Sequence, residues 1–267
     1  ILPRRFVEDD QVEALIQEAR LAAKLEHRNI LPVFDVGEER GYVFLVMQHI
    51  DGGSLARLLR TRQRLRVRYA LDLIEQTGDG LAAAHGQDVV HRDVKPDNLL
   101  LCSDGVVKIG DFGLAQSGGA GRVRTANGLL LGSPAYMSPE QAAGDPVDAR
   151  SDIYSLAITL YQMVTGRRPL HGDTPLATMI AHRQVEPAPP RSIEPSIPAD
   201  LDDLILEMLQ KDRERRPASM TMVLRELRRI RRGLEAQPDP DAQAAWGRED
   251  VVFALLGLRE GDRKSVV

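Results

Sequence analysis

The sequence predicts an α+β protein in which a small sheet-bearing part precedes a larger, mainly helical one. Residues 27–39 and 42–48 are two β-type runs separated by a short turn, the second almost continuously apolar. Residues 55–84 and 151–165 carry helix-length apolar patterns, and the latter is apolar nearly all round, as a buried helix would be. Between them, L-L-L at 99–101 and V-V-K-I-G at 106–110 flank the polar turn S-D-G, which reads as a second, shorter hairpin.

Composition bounds the classes of protein that remain. A chain of 267 residues with 43% hydrophobic content can bury a substantial core as one large domain or two lobes. A net charge of -4 and a pI near 5.9 give no general field for nucleic acid. The local run Arg57, Arg60, Arg62, Arg64, Arg66, Arg68 is expected to be a solvated surface between helices. The single cysteine, Cys102, excludes a disulfide within the chain, is expected to pack as a small apolar group at a strand end, and fits a reducing, cytoplasmic setting. No apolar stretch approaches the roughly 20 residues a membrane helix needs. The nearest, 251–258, is too short, so an anchor would have to lie outside this chain.

In chain order, residues 12–25 read as an amphipathic helix, with Val12, Leu15, Ile16, Ala19, Ala22, Ala23 and Leu25 at helical steps and Glu18 in its middle. After the two strands, Met47 to Ile50 lead into D-G-G-S-L, where Ser54 suits a helix N-cap. The helix expected over 67–85 delivers the chain to the stretch H-R-D-V-K-P-D-N at 91–98. The helix over 151–165 ends at Gly166 and carries Asp152 near its start, a carboxylate that a buried helix must pair with donors. Residues 186–198 are proline-rich and expected to be loop. Residues 201–210 and 219–231 are expected to be amphipathic helices, with Arg228, Arg229, Arg231 and Arg232 suited to a C-terminal helix end. Q-P-D-P at 237–240 begins a linker, and no internal repeat is present.

The chemistry concentrates at 91–98 and at D-F-G, 111–113. Asp93 and Asn98 lie on a loop before the short hairpin and Asp111 follows its second strand, so three oxygen-bearing side chains can converge. Magnesium takes hard oxygen ligands in small number and keeps the rest of its shell for phosphate and water. Phosphoryl transfer asks of a protein mainly positioning, charge neutralisation and a carboxylate facing the attacking hydroxyl.

These two motifs, at this spacing, resemble the catalytic and magnesium-binding loops of protein kinases. The chain over residues 1–232 resembles the bacterial, eukaryotic-like serine/threonine protein kinases. The resemblance implies a bilobal kinase fold with an incomplete N-terminal β lobe and a mainly α-helical C-terminal lobe, using ATP and Mg2+ to phosphorylate Ser or Thr on protein substrates, itself included. It implies Asp93 and Lys95 as catalytic, Asn98 and Asp111 as metal ligands, and Met47, Gln48, Ile50, Ser54, Leu100 and Glu18 as the nucleotide-binding set. Gln48 C=O and Ile50 N–H would be the adenine contacts. Met47 would serve both core and ligand. Arg92 would anchor the activation segment, in which Thr125 is the expected phosphosite. Ser133 stands where the family has threonine. Glu140 and Arg216 would pair, and Asp152 would hold the catalytic-loop backbone. His91 and Phe112 would stack between the lobes, and His85 is read as a structural helix-end histidine. Asp88 occupies the position of a family glycine before the loop and is expected at positive φ.

The resemblance also implies parts that this chain does not carry. The Gly-rich loop and the phosphate-binding lysine belong upstream of Glu18, where only Ile1, Leu2 and Pro3 remain of the strand, and Lys24 is the first lysine of the chain. The expected division is 1–47 as the rest of the small lobe, 48–232 as hinge and large lobe, 233–261 as linker or the start of another region, and 262–267 as a non-native tail. Two rivals are a pseudokinase serving as a binding module and a small-molecule phosphotransferase. Joint retention of Asp93, Lys95, Asn98 and Asp111 disfavours the first; S-P-E at 138–140 with Lys95, a peptide-substrate platform, disfavours the second.

Overall fold

The structure, a computed structural model, describes residues 2–3, 23–39, 42–112 and 133–236. Residues 12–22 of the expected first helix with Glu18, Thr125, residues 237–261 of the expected linker and the tail lie outside the described residues, whereas residues 233–235 of that linker belong to the last helix. The small lobe is a three-stranded antiparallel sheet in the order β1-β3-β2, with β1 Leu2–Pro3, β2 Val33–Glu39 and β3 Tyr42–Met47. Leu2 pairs with Val43 and Pro3 with Tyr42, so the expected strand remnant is present at the sheet edge, a place where proline costs no ladder bond. The β2–β3 register runs from Val33↔Met47 to Glu39↔Tyr42, with a bulge between Val33 and Asp35.

The chain leaves β3 for α1 Leu55–Thr61, which Ser54 caps by accepting from Arg57 N–H. Helix α2, Val67–His85, has the expected bounds and buries Leu71, Ile74 and Leu81. Its Gly80 lies so close to the hairpin that a Cβ would stand 2.7 Å from Ile109 Cδ1 and 3.0 Å from Asn29 O. The hairpin itself pairs β4 Leu99–Leu101 with β5 Val107–Ile109, Leu99 opposite Ile109.

The rest is helical: α3 Pro139–Ala143, α4 Ala149–Thr165, α5 Pro175–Gln184, α6 Pro190–Ile193, α7 Ala199–Met208 and α8 Met220–Glu235. Helix α4 is the centre, buried at almost every position from Ser151 to Val164. It stops at Gly166, whose φ of 79° is left-handed; a Cβ there would also meet Gln63 O at 2.9 Å, so the stop doubles as a close backbone crossing.

Several expectations need correction. The proline-rich stretch contains helix α6, since Pro190 can open a helix at its first position. Helix α8 runs past its arginines to Glu235, and two of them face α2: Arg228 bonds Asp79 at 2.6 Å and Arg231 lies 2.8 Å from the buried Glu75. The arginine run is only half solvated. Arg57, Arg60 and Arg64 are exposed, but Arg62, Arg66 and Arg68 are half-buried, Arg64 pairs with Glu194, and Arg68 bonds the Leu234 carbonyl at 2.5 Å. Cys102 lies just beyond β4 and is half-buried. No described helix is long and apolar enough to cross a membrane.

Candidate active site

The site begins with a carboxylate that the sequence places on an apolar helix. Asp152 is fully buried in the first turn of α4, and both of its oxygens are used by the loop in front of it. Oδ1 accepts from Arg92 N–H and Oδ2 from His91 N–H, each at 2.8 Å. His85 Nε2 also meets Oδ2 at 2.8 Å, so this histidine is structural as expected, but its task is to complete the Asp152 anchor. The carboxylate therefore holds the last turn of α2 and the backbone of residues 91–92 together.

His91 is buried and fixes the next step. Its Nε2–H donates to Gly110 O at 2.9 Å, its Nδ1 accepts from Asp93 N–H at 3.2 Å, and its ring meets Phe112 at 4.6 Å between centroids. The expected His91–Phe112 stack is present, tilted by 60°. One imidazole thus ties the turn after β5 to the loop that carries Asp93. A second tie is Gly110 N–H donating to Asn98 O at 2.8 Å.

Asp93 is where the polar groups converge. Lys95 Nζ lies 2.5 Å from Asp93 Oδ2, and Asn98 Nδ2 donates to Asp93 Oδ2 at 3.1 Å and to Asp93 O at 2.9 Å. Because the Asn98 amide nitrogen is spent on Asp93, its oxygen is the end left for another partner. Asp111 ends the next turn with an exposed carboxylate. Among the described residues no cluster of three or more His, Cys, Asp or Glu could hold a metal by itself. The pair Asn98 and Asp111 nevertheless offers two hard oxygens from segments bonded to each other, which suits a magnesium ion that completes its shell with phosphate and water.

Among the described residues, the non-glycine residues at positive φ are Asp88 (58°), Arg92 (68°) and Asp111 (57°). All lie in or at the entrance to this site. The Asp88 expectation holds. The strain at Arg92, about 1 kcal/mol or more, is sustained by the bonds of its N–H to Asp152 and of its carbonyl to Gln141.

Among the residues expected on the nucleotide side, Gln48 N–H donates to Pro32 O at 3.1 Å, leaving its carbonyl for another donor. Ile50 is half-buried, and Ser54 forms an isolated antiparallel bridge with Leu100. Met47 is exposed, so the expected core half of its role is absent.

The segment beyond the site is tied in by the expected Glu140–Arg216 pair and by bonds that the motifs do not announce. Lys95 Nζ reaches Ser133 Oγ at 3.3 Å, and Gln141 Nε2 donates to Arg92 O at 2.6 Å. Ser138 and Gln141 cap α3 reciprocally. Glu140 and Arg216 pair through two bonds of 2.8 Å in the interior, with Ser151 Oγ adding 2.5 Å to Glu140 Oε1. Burial alone would raise the Glu140 carboxyl; the hydrogen bonds and charge of Arg216 with the Ser151 hydroxyl outweigh it and hold it below the usual range. Asn29 is a further residue without an advance assignment: its Nδ2 donates to Val107 O at 2.9 Å and its carbonyl accepts from Ile109 N–H at 2.9 Å, joining the chain before β2 to β5. The signal available for it is the polar H-R-N-I opening of the first β-type run, residues 27–30.

A two-lobed α+β chain with this loop, this hairpin and this buried ion pair defines a protein kinase domain. The protein kinase domain family model matches residues 2–227, and the chain belongs to that family. Among curated proteins it is similar to a probable serine/threonine-protein kinase of Clostridium acetobutylicum, 35% identical over 232 residues, 86% of this chain and 35% of that protein. It is also similar to serine/threonine-protein kinase PknB of Mycobacterium tuberculosis, 35% identical over 252 residues, 92% of this chain and 40% of that protein. A probable serine/threonine-protein kinase of Streptomyces coelicolor is 38% identical over 203 residues, 73% of this chain and 30% of that protein. The chain thus spans between three tenths and two fifths of the length of these relatives.

Proposed function

We propose that this chain carries the catalytic loop and acceptor platform of an enzyme that transfers the γ-phosphoryl of ATP to Ser or Thr hydroxyls of proteins. The observation that supports it most is the Asp93 carboxylate gripped by Lys95 and Asn98 on a loop whose backbone is pinned by Asp152. In this reading Asp93 accepts the proton of the substrate hydroxyl. Lys95 neutralises the phosphoryl in transit, and its reach to Ser133 couples it to the peptide side. Asn98 and Asp111 hold magnesium, which when bound neutralises phosphate charge. The Gln48 carbonyl and the Ile50 N–H take the adenine edge beside Met47, with Ser54 and Leu100 flanking the base. Glu18 pairs a phosphate-binding lysine supplied, with the Gly-rich loop, from sequence upstream of Ile1. The setting is the cytoplasm, and the partners are protein substrates, not nucleic acid.

Self-phosphorylation at Thr125 is part of the proposal. Arg92 Nε is buried and makes no hydrogen bond to a described residue, which leaves a guanidinium donor for a phosphate. Thr125→Ala in a complete protein should lower activity, with phosphate at Thr125 found by mass spectrometry in the wild type; unchanged activity and no phosphate would remove this part.

The test of the whole reading is to express residues 1–261 beside a version extended upstream in its natural reading frame. Transfer from ATP to a generic protein substrate should be fast in the extended protein and slower by on the order of 10²–10³ in the shorter one, the scale of losing one preorganised donor. Asp93→Asn in the extended protein should remove turnover by about 10²–10⁴ while nucleotide still binds. Equal rates from both lengths would show that the parts assigned upstream are not needed. An extended protein that binds ATP without transferring it would favour the pseudokinase.

A further inference from the structure

Beneath the Ser133–Tyr136 segment lies a chain of polar side chains for which the transfer chemistry has no use. Lys211, beyond α7, donates from Nζ to Tyr154 Oη at 3.3 Å, and Tyr154 on α4 meets His182 Nδ1 on α5 at 3.1 Å. Tyr154 and His182 are fully buried, their rings edge-on at 5.8 Å. The Arg216 guanidinium lies 4.9 Å from the same tyrosine ring, so the Glu140–Arg216 pair walls one side of the chain.

Its direction follows from which groups can donate. A lysine ammonium has donors only, so the Tyr154 oxygen is the acceptor there and its own proton is directed to His182 Nδ1. A neutral imidazole that accepts at Nδ1 carries its proton on Nε2. Burial, reinforced by the positive charges of Lys211 and Arg168, pushes His182 down to about 4 and keeps it neutral. Burial likewise pushes Lys211 down to about 8, with Glu186 opposing and Arg216 adding. The His182 Nε2 is buried and makes no hydrogen bond to a described residue, and the helix that carries it packs on the Pro134–Tyr136 turn, whose Ala135 and Pro134 backbone opposes the lowering.

That backbone is the middle of the acceptor platform. Its ends are held elsewhere: Ser133 Oγ by Lys95, Tyr136 O by Ser155 Oγ at 2.7 Å, and Tyr136 Oη by Gln162 at 2.6 Å. We propose that Lys211, Tyr154 and His182 form a one-way hydrogen-bond chain that fixes the Nε2–H tautomer of His182 and aims this donor at the Pro134–Ala135 backbone. His182 is then a positioning residue for the acceptor peptide. This rests on the phosphotransfer reading only for what the platform holds; the tautomer stands on the geometry.

The experiment has two arms. Long-range 1H–15N spectra of the histidine-labelled full chain at pH 7 should show His182 neutral with its proton on Nε2. Lys211→Met should mix the tautomers, and Lys211→Arg, which restores a donor, should recover the wild-type pattern. In the upstream-extended protein, Lys211→Met and Tyr154→Phe should raise the KM for a Ser/Thr peptide about five- to tenfold, the worth of one hydrogen bond, with kcat and the KM for ATP within about twofold. Wild-type His182 with its proton on Nδ1, or a Lys211→Met protein unchanged in tautomer and peptide KM, overturns the inference. So does a loss that falls equally on peptide and ATP, because that is general destabilisation. If the extended parent transfers no phosphate, the proposed function falls, and the spectra of the full chain still decide the tautomer.

Discussion

Asp88 turns the chain from α2 toward the catalytic loop with φ of 58°. An L residue in this conformation is strained, aspartate less than most. Asp88→Gly should therefore stabilise the fold by about 0.5–1 kcal/mol and Asp88→Val destabilise it by about 1–2 kcal/mol, read from urea unfolding. Aspartate in a glycine's place made this conformation legible in the sequence. Arg92 and Asp111 share it without any such sign; at Arg92 the tertiary bonds to its N–H and to its carbonyl impose it. Asp152 is the other residue on which the loop depends. In Asp152→Asn one of its two oxygens becomes an amide nitrogen facing an N–H donor, which should cost about 1–3 kcal/mol of stability. The loop would shift, and turnover should fall by about 10²-fold with ATP binding retained, the scale expected of a small misplacement of reacting groups.

At the scale of elements, α3 is five residues long and cannot hold itself in place. The Glu140–Arg216 pair and the Gln141 bond to Arg92 O fasten it between α4 and the catalytic loop. Removing one partner of a buried pair leaves the other charge uncompensated, so Glu140→Ala should lose about 3–5 kcal/mol in denaturant unfolding. The pH dependence has a definite sign. The Glu140 carboxyl is held below its usual range in the folded state, so its contribution is complete above that range and is lost as pH falls through the lowered value. The stability gap between wild type and Glu140→Ala should thus be constant from pH 7 to about 5 and narrow in more acid solution. A gap independent of pH would mean that the pair contributes by packing. The family resemblance implied the Glu140–Arg216 pairing; nothing in the sequence implied the seat of Arg228 and Arg231 against α2, since an arginine at a helix end and one facing a neighbouring helix look alike in sequence.

For the molecule as a whole, apolar exposure is uneven. Four of the eight exposed large hydrophobic residues among those described lie on the β2–β3 hairpin: Phe34, Tyr42, Val46 and Met47, with Phe34 67% exposed. Val33 and Leu45 of the same hairpin are half-buried. An uncovered apolar sheet associates. The chain should accordingly show concentration-dependent sedimentation, and Phe34→Ser should reduce it with little change in unfolding midpoint; concentration-independent sedimentation of the wild type would remove this expectation.

The sequence by itself determined the α+β class, the bounds of α2 and the hairpin to within a residue or two, and the burial of α4, and it singled out residues 91–98 and 111, to which the proposed chemistry is assigned. It could do so because periodicity, turn residues and short motifs are local properties of the chain. Only the tertiary structure decided what holds those residues: His85 against Asp152, Asn29 against β5, Lys95 against Ser133, and the Lys211–Tyr154–His182 chain below the platform. Each joins positions between 28 and 78 residues apart, and no local pattern specifies which distant donor a buried acceptor will meet, because that pairing is selected by the packing of whole elements around α4.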